Sequence, residues 1–126
     1  MMISDQDIEK AKKTAKYGKY EKPHHEHNDC IRIAYAWLDA QVKTKGKMKT
    51  TYPLKHIIEK WAGRYVSTTD VMVAAQMHPE IIGEYPYFNI SARLTEPSRD
   101  RLNGVAEAFT QGYHERYDPS VYKRRE

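Results

Sequence analysis

The chain has one cysteine, Cys30, in 126 residues. One thiol excludes an internal disulfide and leaves a cysteine-based zinc site without enough ligands. No apolar run approaches the ~18 residues that a membrane-spanning helix requires. The opening MMISDQDIEKAKK has no apolar stretch behind its charges, so no secretory leader is expected, and the chain is expected to be cytoplasmic. There is no internal repeat and no low-complexity tract apart from one lysine-rich stretch. The GxSxG, P-loop and Rossmann patterns are missing, and no carboxylates are paired at a spacing that suggests acid–base work. His56, His78 and His114 are scattered. These absences predict a chain that is not an enzyme and carries no cofactor or metal.

What is present is enough for one ordinary domain. Hydrophobic residues make up 40% and charged residues 30% of the chain, so a modest core can form inside a solvated surface. The formal net charge of +4 is mild for a protein that only coats nucleic acid. The excess is local. Residues 28–50 hold five basic side chains against two acidic ones, mostly in Lys43-Thr-Lys45-Gly-Lys47-Met-Lys49.

Apolar periodicity orders the chain. Ser4 and Asp7 open a first helix with few and small apolar positions, Ile8, Ala11 and Ala15, which reads as a frayed or partner-dependent arm ending near Gly18. A polar linker with Pro23 follows. Asn28 then caps a helix whose stripe of Ile31, Ala34, Leu38 and Val42, widened by Cys30, Ile33 and Trp37, marks the centre of the core. After the lysine loop, Pro53 starts a helix with Leu54, Ile57, Ile58 and Trp61 at helical spacing and Ala62-Gly63 at its end. Ser67 with Asp70 caps a third core helix, which Pro79 ends. The run IIGEYPYFNI changes to short strands, a small hairpin around Gly83 or Pro86. Leu102, Val105, Ala106, Phe109 and Tyr113 predict a last helix from Pro97 to about Tyr117, followed by a mobile basic tail.

Helix, basic loop, helix, glycine turn, helix and hairpin is an order that resembles the winged helix-turn-helix in layout, over about residues 28–90. The expected fold is a mainly α single domain with a small β-hairpin, winged helix-turn-helix-like. Residues 1–27 form a helical arm and linker, 28–117 the core and 118–126 the basic tail. That resemblance implies a third helix in the major groove, a second helix bracing it and a hairpin reaching neighbouring phosphates. Two features depart from the pattern: Glu59 stands where a tight turn wants a small residue, and the reading helix has no cation.

The candidate function is therefore binding of double-stranded DNA, as a site-specific regulator or a replication or partition factor of a mobile element. Lys43, Lys45, Lys47 and Lys49 would dock on phosphates, supported by Lys55 and Arg64. Ser67, Thr68, Thr69 and Gln76 would read the groove, Gln76 by pairing with adenine. A homodimer is expected, because one module with few cations binds weakly. The alternative is a small phage- or plasmid-type interaction module or inhibitor that acts through the Tyr85, Tyr87 and Phe88 hairpin. A third reading is stacking of unpaired bases on the tyrosine-rich hairpin and C-terminal rings. The run His25-x-His27-x-Asp29 resembles the opening of the metallo-β-lactamase metal motif. No strand precedes it, however, and Cys30 stands where that motif ends in His. It reads as a solvated linker, with Cys30 a small buried hydrophobe.

Overall fold

The computed structural model describes residues 3–17, 23–48 and 52–126, and Lys49 lies outside them. The described residues form four α-helices, two two-stranded sheets and three 3-10 turns, and are mainly helical.

Helix α2 (Asn28–Asp39) is central, and Cys30, Ile31, Ile33, Ala34, Trp37 and Leu38 are all fully enclosed. Its cap is His27, one residue before the expected Asn28: the His27 Nδ1 accepts from the Asp29 N–H at 2.9 Å. Asn28 Oδ1 instead accepts from the Lys12 ammonium at 2.6 Å. Val42, expected in the α2 stripe, lies beyond the helix and is 43% exposed. Helix α4 (Thr68–Met77) lies along α2. Ala74 and Ala75 are small enough for a close approach, and the Ser67–Asp70 capping box closes its first turn. Helix α1 (Asp5–Thr14) packs on both α4 and α2, with Ile8 at zero exposure and Arg32 of α2 paired to Asp5. The expected frayed arm is therefore docked.

Helix α3 (Leu54–Ala62) starts after Pro53 with no side-chain cap; the Tyr85 hydroxyl accepts its Lys55 N–H at 3.4 Å. Gly63 ends it in the left-handed conformation, φ 62°. Helix α3 packs chiefly on the C-terminal segment, whereas α4 packs chiefly on α2. The expected order of helices and hairpin is present, and α3 and α4 each pack more on other elements than on one another.

Strands β1 (Gly83–Glu84) and β2 (Tyr87–Phe88) form the predicted antiparallel hairpin, turning at Tyr85-Pro86. Gly83, at φ 103°, is required: a Cβ there would lie 2.4 Å from the Tyr87 carbonyl oxygen.

The predicted last helix is absent. Residues 97–117 contain 3-10 turns at Arg99–Leu102 and Gly112–Arg116, with Gly104 and Phe109 both at positive φ. The reason is a competing partner. The Phe109 N–H donates to the Ala62 carbonyl (2.8 Å) and the Gln111 N–H to that of Gly63 (3.0 Å). These amides satisfy the open carbonyls at the end of α3 and not carbonyls of their own helix. The expected mobile tail is also bound in place. Strand β4 (Arg124–Arg125) pairs in parallel with β3 (Thr95–Glu96), and the Tyr122 hydroxyl accepts from Trp37 Nε1 at 3.0 Å. Trp37 and Trp61 are both core residues at zero exposure, as the sequence predicts.

Candidate nucleic-acid interface

The lysine loop is pinned along the hairpin. Thr44 N–H donates to the Asn89 carbonyl, Met48 N–H to that of Phe88, and Ser91 N–H to that of Val42, each at 2.8 Å. Lys43 forms a β-bridge with Ile90. Buried Met48 anchors one end of the loop. The Asn89 side-chain amide closes the site, donating to the Thr44 and Glu80 carbonyls at 3.2 and 2.9 Å while its oxygen accepts from the Ile82 N–H at 2.7 Å. Loop and hairpin thus form one rigid edge.

Lys45 and Lys47 project from this edge, and Arg93 follows directly on it. All three are exposed, and none has an ion-pair partner among the described residues. Lys43 differs. Its ammonium donates to the Asp39 carbonyl at 2.6 Å, and burial pushes its pKa below the ordinary lysine value. Val42, Ile82 and Tyr87 are also exposed on this edge and its hairpin, at 43%, 52% and 46%. Of the hairpin rings, Phe88 is buried and Tyr85 is engaged with Lys55 and Phe88, which leaves Tyr87 as the exposed one.

The remaining predicted contacts are elsewhere. The linker covers the N-terminal end of α4. Ser67 Oγ donates to the His24 carbonyl at 2.8 Å, and Thr69 Oγ1 donates to the same oxygen. Asp70 is fully buried, and its carboxylate meets His25 Nδ1 at 2.7 Å; His25 Nε2 in turn meets the Tyr17 hydroxyl at 3.0 Å. The hydroxyl end expected to be free is therefore enclosed, with Thr68 half-buried beside it. Gln76 is exposed but donates to Thr14 Oγ1 of α1 at 3.2 Å. Arg64 is buried and pairs with Glu107 at 3.1 Å. Lys55 pairs with Glu59 at 3.2 Å and lies over the Tyr65 ring. Because Glu80 and Asn89 tie the lysine edge to the C-terminal end of α4, the edge and the Ser67 end are separated by the helix's ten residues, about 15 Å.

Two carboxylates, Glu59 buried and Asp39 part-exposed, explain local features. Glu59, the residue that departs from a tight helix-turn-helix, accepts from Lys55, His56 and the Val66 N–H and so holds the connector into α4. Asp39 joins His78 and Arg101 in a network that ends at Glu126. Isolated histidines gave this second cluster no signal in the sequence, because its partners come from four separate segments. The linker histidines point apart: His25 to Asp70, His27 to the α2 cap and His24 to Glu26. No three His, Cys, Asp or Glu groups converge on a metal-sized site among the described residues. Burial pushes the Cys30 thiol up to about 11, and its Sγ donates to the Tyr65 carbonyl at 3.3 Å. No helix among the described residues is long and apolar enough to cross a membrane. Comparison of the chain with family models, with curated proteins and with solved structures finds no match.

Proposed function

We propose that this chain docks on double-stranded DNA through the edge formed by its lysine loop and hairpin. The observation that supports the reading is the fixed display of Lys45 and Lys47, without ion-pair partners among the described residues, on a loop stitched to the hairpin, with Arg93 just past Ser91 at the other end of the stitched pair. Preset cations lose little side-chain freedom on meeting phosphates, and the counterions they release drive binding. Lys49 belongs to the same stretch of sequence. With the hydroxyl end of α4 covered by the linker and Gln76 bonded to Thr14, discrimination between sites rests on duplex shape and not on a reading helix. The role this serves is regulation, replication or partition, carried out by paired copies.

A salt titration on duplex DNA tests the proposal. Three to four phosphate contacts per copy give a log–log slope of roughly −3 to −4, and a pair of copies doubles it. The Lys45→Ala, Lys47→Ala double variant flattens the slope by about 2 per copy and weakens all duplexes equally. Duplex affinity that is independent of salt, or unchanged in the double variant, removes the edge from the interface. One observation favours a second reading. Val42, Ile82 and Tyr87 lie exposed near the same lysines, a mixture that suits an acidic protein partner. Under that reading no duplex binding occurs even at low salt.

A further inference from the structure

The segment that wraps the end of α3 carries a part-exposed aromatic surface. Phe109 has left-handed backbone, φ 62°, and 43% of it is exposed. That conformation costs a non-glycine residue ~1 kcal/mol or more. Its structural bond, the N–H to the Ala62 carbonyl, would be made by any residue with an amide. Tyr113 is 37% exposed, and its hydroxyl has no hydrogen-bond partner among the described residues. Phe109 stands edge-on to His114 at 6.3 Å, and Tyr113 is tilted to Tyr65 at 6.5 Å, so no ring in the group is stacked face to face on another.

Cations accompany the rings. The Arg99 guanidinium lies over Phe109 at 5.7 Å and over Tyr117 at 4.9 Å, with no carboxylate partner among the described residues. Arg116 is exposed and unpaired on the turn that carries Tyr113 and His114. Of the acids nearby, Glu115 is exposed and Asp118 faces Lys60, while Glu107 is neutralised by Arg64. Asp100 and Glu115 are the sequence neighbours of Arg99 and Arg116, yet neither arginine forms an ion pair among the described residues.

We propose that this surface is a stacking platform for unpaired bases of a single-stranded nucleic acid, with Phe109 and Tyr113 receiving the bases and Arg99 and Arg116 the phosphates. Half-exposed rings interleaved with unpaired guanidinium groups match such a strand, because every base offers a π face and every link a charge. The platform lies at the C-terminal end of α3. The lysine edge lies beyond the other end of that helix, where Tyr85 of the hairpin meets Lys55.

The test uses the full chain and fluorescence anisotropy at low salt, with labelled oligo(dT) and an abasic strand of equal length as probes. Oligo(dT) is expected to bind ~5-fold or more tighter than the abasic strand. Phe109→Gly and Tyr113→Ala each remove ~5-fold or more of the oligo(dT) affinity and leave the abasic strand unchanged. Glycine accepts the left-handed backbone freely, which offsets the ring's lost contact with Gly63, so Phe109→Gly keeps a cooperative thermal transition near that of the wild type, which separates loss of the ring from loss of the fold. Equal affinity for the two strands, ring variants without effect, or no binding of either strand overturns the proposal; the last outcome leaves the surface to a protein partner. The ratio between the two strands reads this platform alone, because an edge that holds only phosphates contributes equally to both.

Discussion

The α2–α4 pair and the C-terminal wrap are held by different forces. In the two helices Cys30, Ile33, Ala34, Trp37, Val71 and Ala74 are all at zero exposure. Beyond residue 97 the buried hydrophobics are only Leu102 and Val105. The wrap is attached by directional bonds: the Phe109 amide to Ala62, Tyr122 to Trp37, Tyr117 to Glu96, and Arg101 to Asp39. Apolar burial is non-directional and can drive collapse before any geometry is settled. A hydrogen bond to a particular carbonyl needs that carbonyl already in place. The wrap is therefore conditional on the helices, and damage should spread from the helices outward but not in reverse.

The sharpest test of this asymmetry is Trp37→Ala. Deleting a fully enclosed indole costs ~3–5 kcal/mol and strands the Tyr122 hydroxyl. Urea unfolding followed by circular dichroism measures the loss, and amide exchange at Phe109 and Gln111 accelerates together with that of α2. A cost below ~1 kcal/mol would break the comparison. Asp70→Ala comes next. It removes the carboxylate half of the capping box and the partner of His25 Nδ1, leaving the Ser67 N–H and that ring nitrogen unsatisfied. The expected cost is ~2–3 kcal/mol by thermal unfolding.

The same difference in forces decides what could be read in the sequence. Helices α2, α3 and α4 and the hairpin were legible because their apolar period, the Ser67 cap, Pro53, Gly63 and Gly83 are local signals. Leu102, Val105, Ala106, Phe109 and Tyr113 also have helical spacing, yet Phe109 turns left-handed because Ala62 offers it a carbonyl. That partner is 47 positions away, and no pattern within the segment reports it. The lysine loop was legible as charge, but its attachment to Asn89 and Ser91 was not. For α4 the cap was legible and its enclosure was not, since the His24 carbonyl that takes Ser67 and Thr69 belongs to a polar linker. Periodicity identified the buried face of α4. It could not show that α1 and the linker pack on the helix as well.

The smallest expected effect is also the most local. Arg101 donates through Nη1 to Asp39 at 2.8 Å and through Nε to both Glu126 oxygens, at 2.7 and 2.9 Å. The Ser98 N–H adds a bond to Glu126 at 2.7 Å. The Arg101 hydrogen bond holds the Glu126 carboxyl below its ordinary value. For Asp39 burial acts upward, but the hydrogen bonds from Arg101 and His78 outweigh it and the pKa is lowered. These groups are 28–42% exposed, so solvent screens the cluster, and Arg101→Ala is expected to cost about 1 kcal/mol or less. A carboxyl with a depressed folded pKa contributes stability that is fully present above the ordinary carboxylate range and lost as pH falls through the depressed value. Wild type therefore loses this contribution below about pH 4, while Arg101→Ala, which lacks it at neutral pH, loses less on acidification. Thermal unfolding at neutral pH and near pH 3 checks the sign. Exchange at the Arg124 and Glu126 amides, which donate to Leu94 and Glu96, accelerates in the variant while α2 stays protected. If Arg101→Ala opened α2 as well, the clamp would be part of what holds the helices together, and the direction of dependence argued from Trp37 would be reversed.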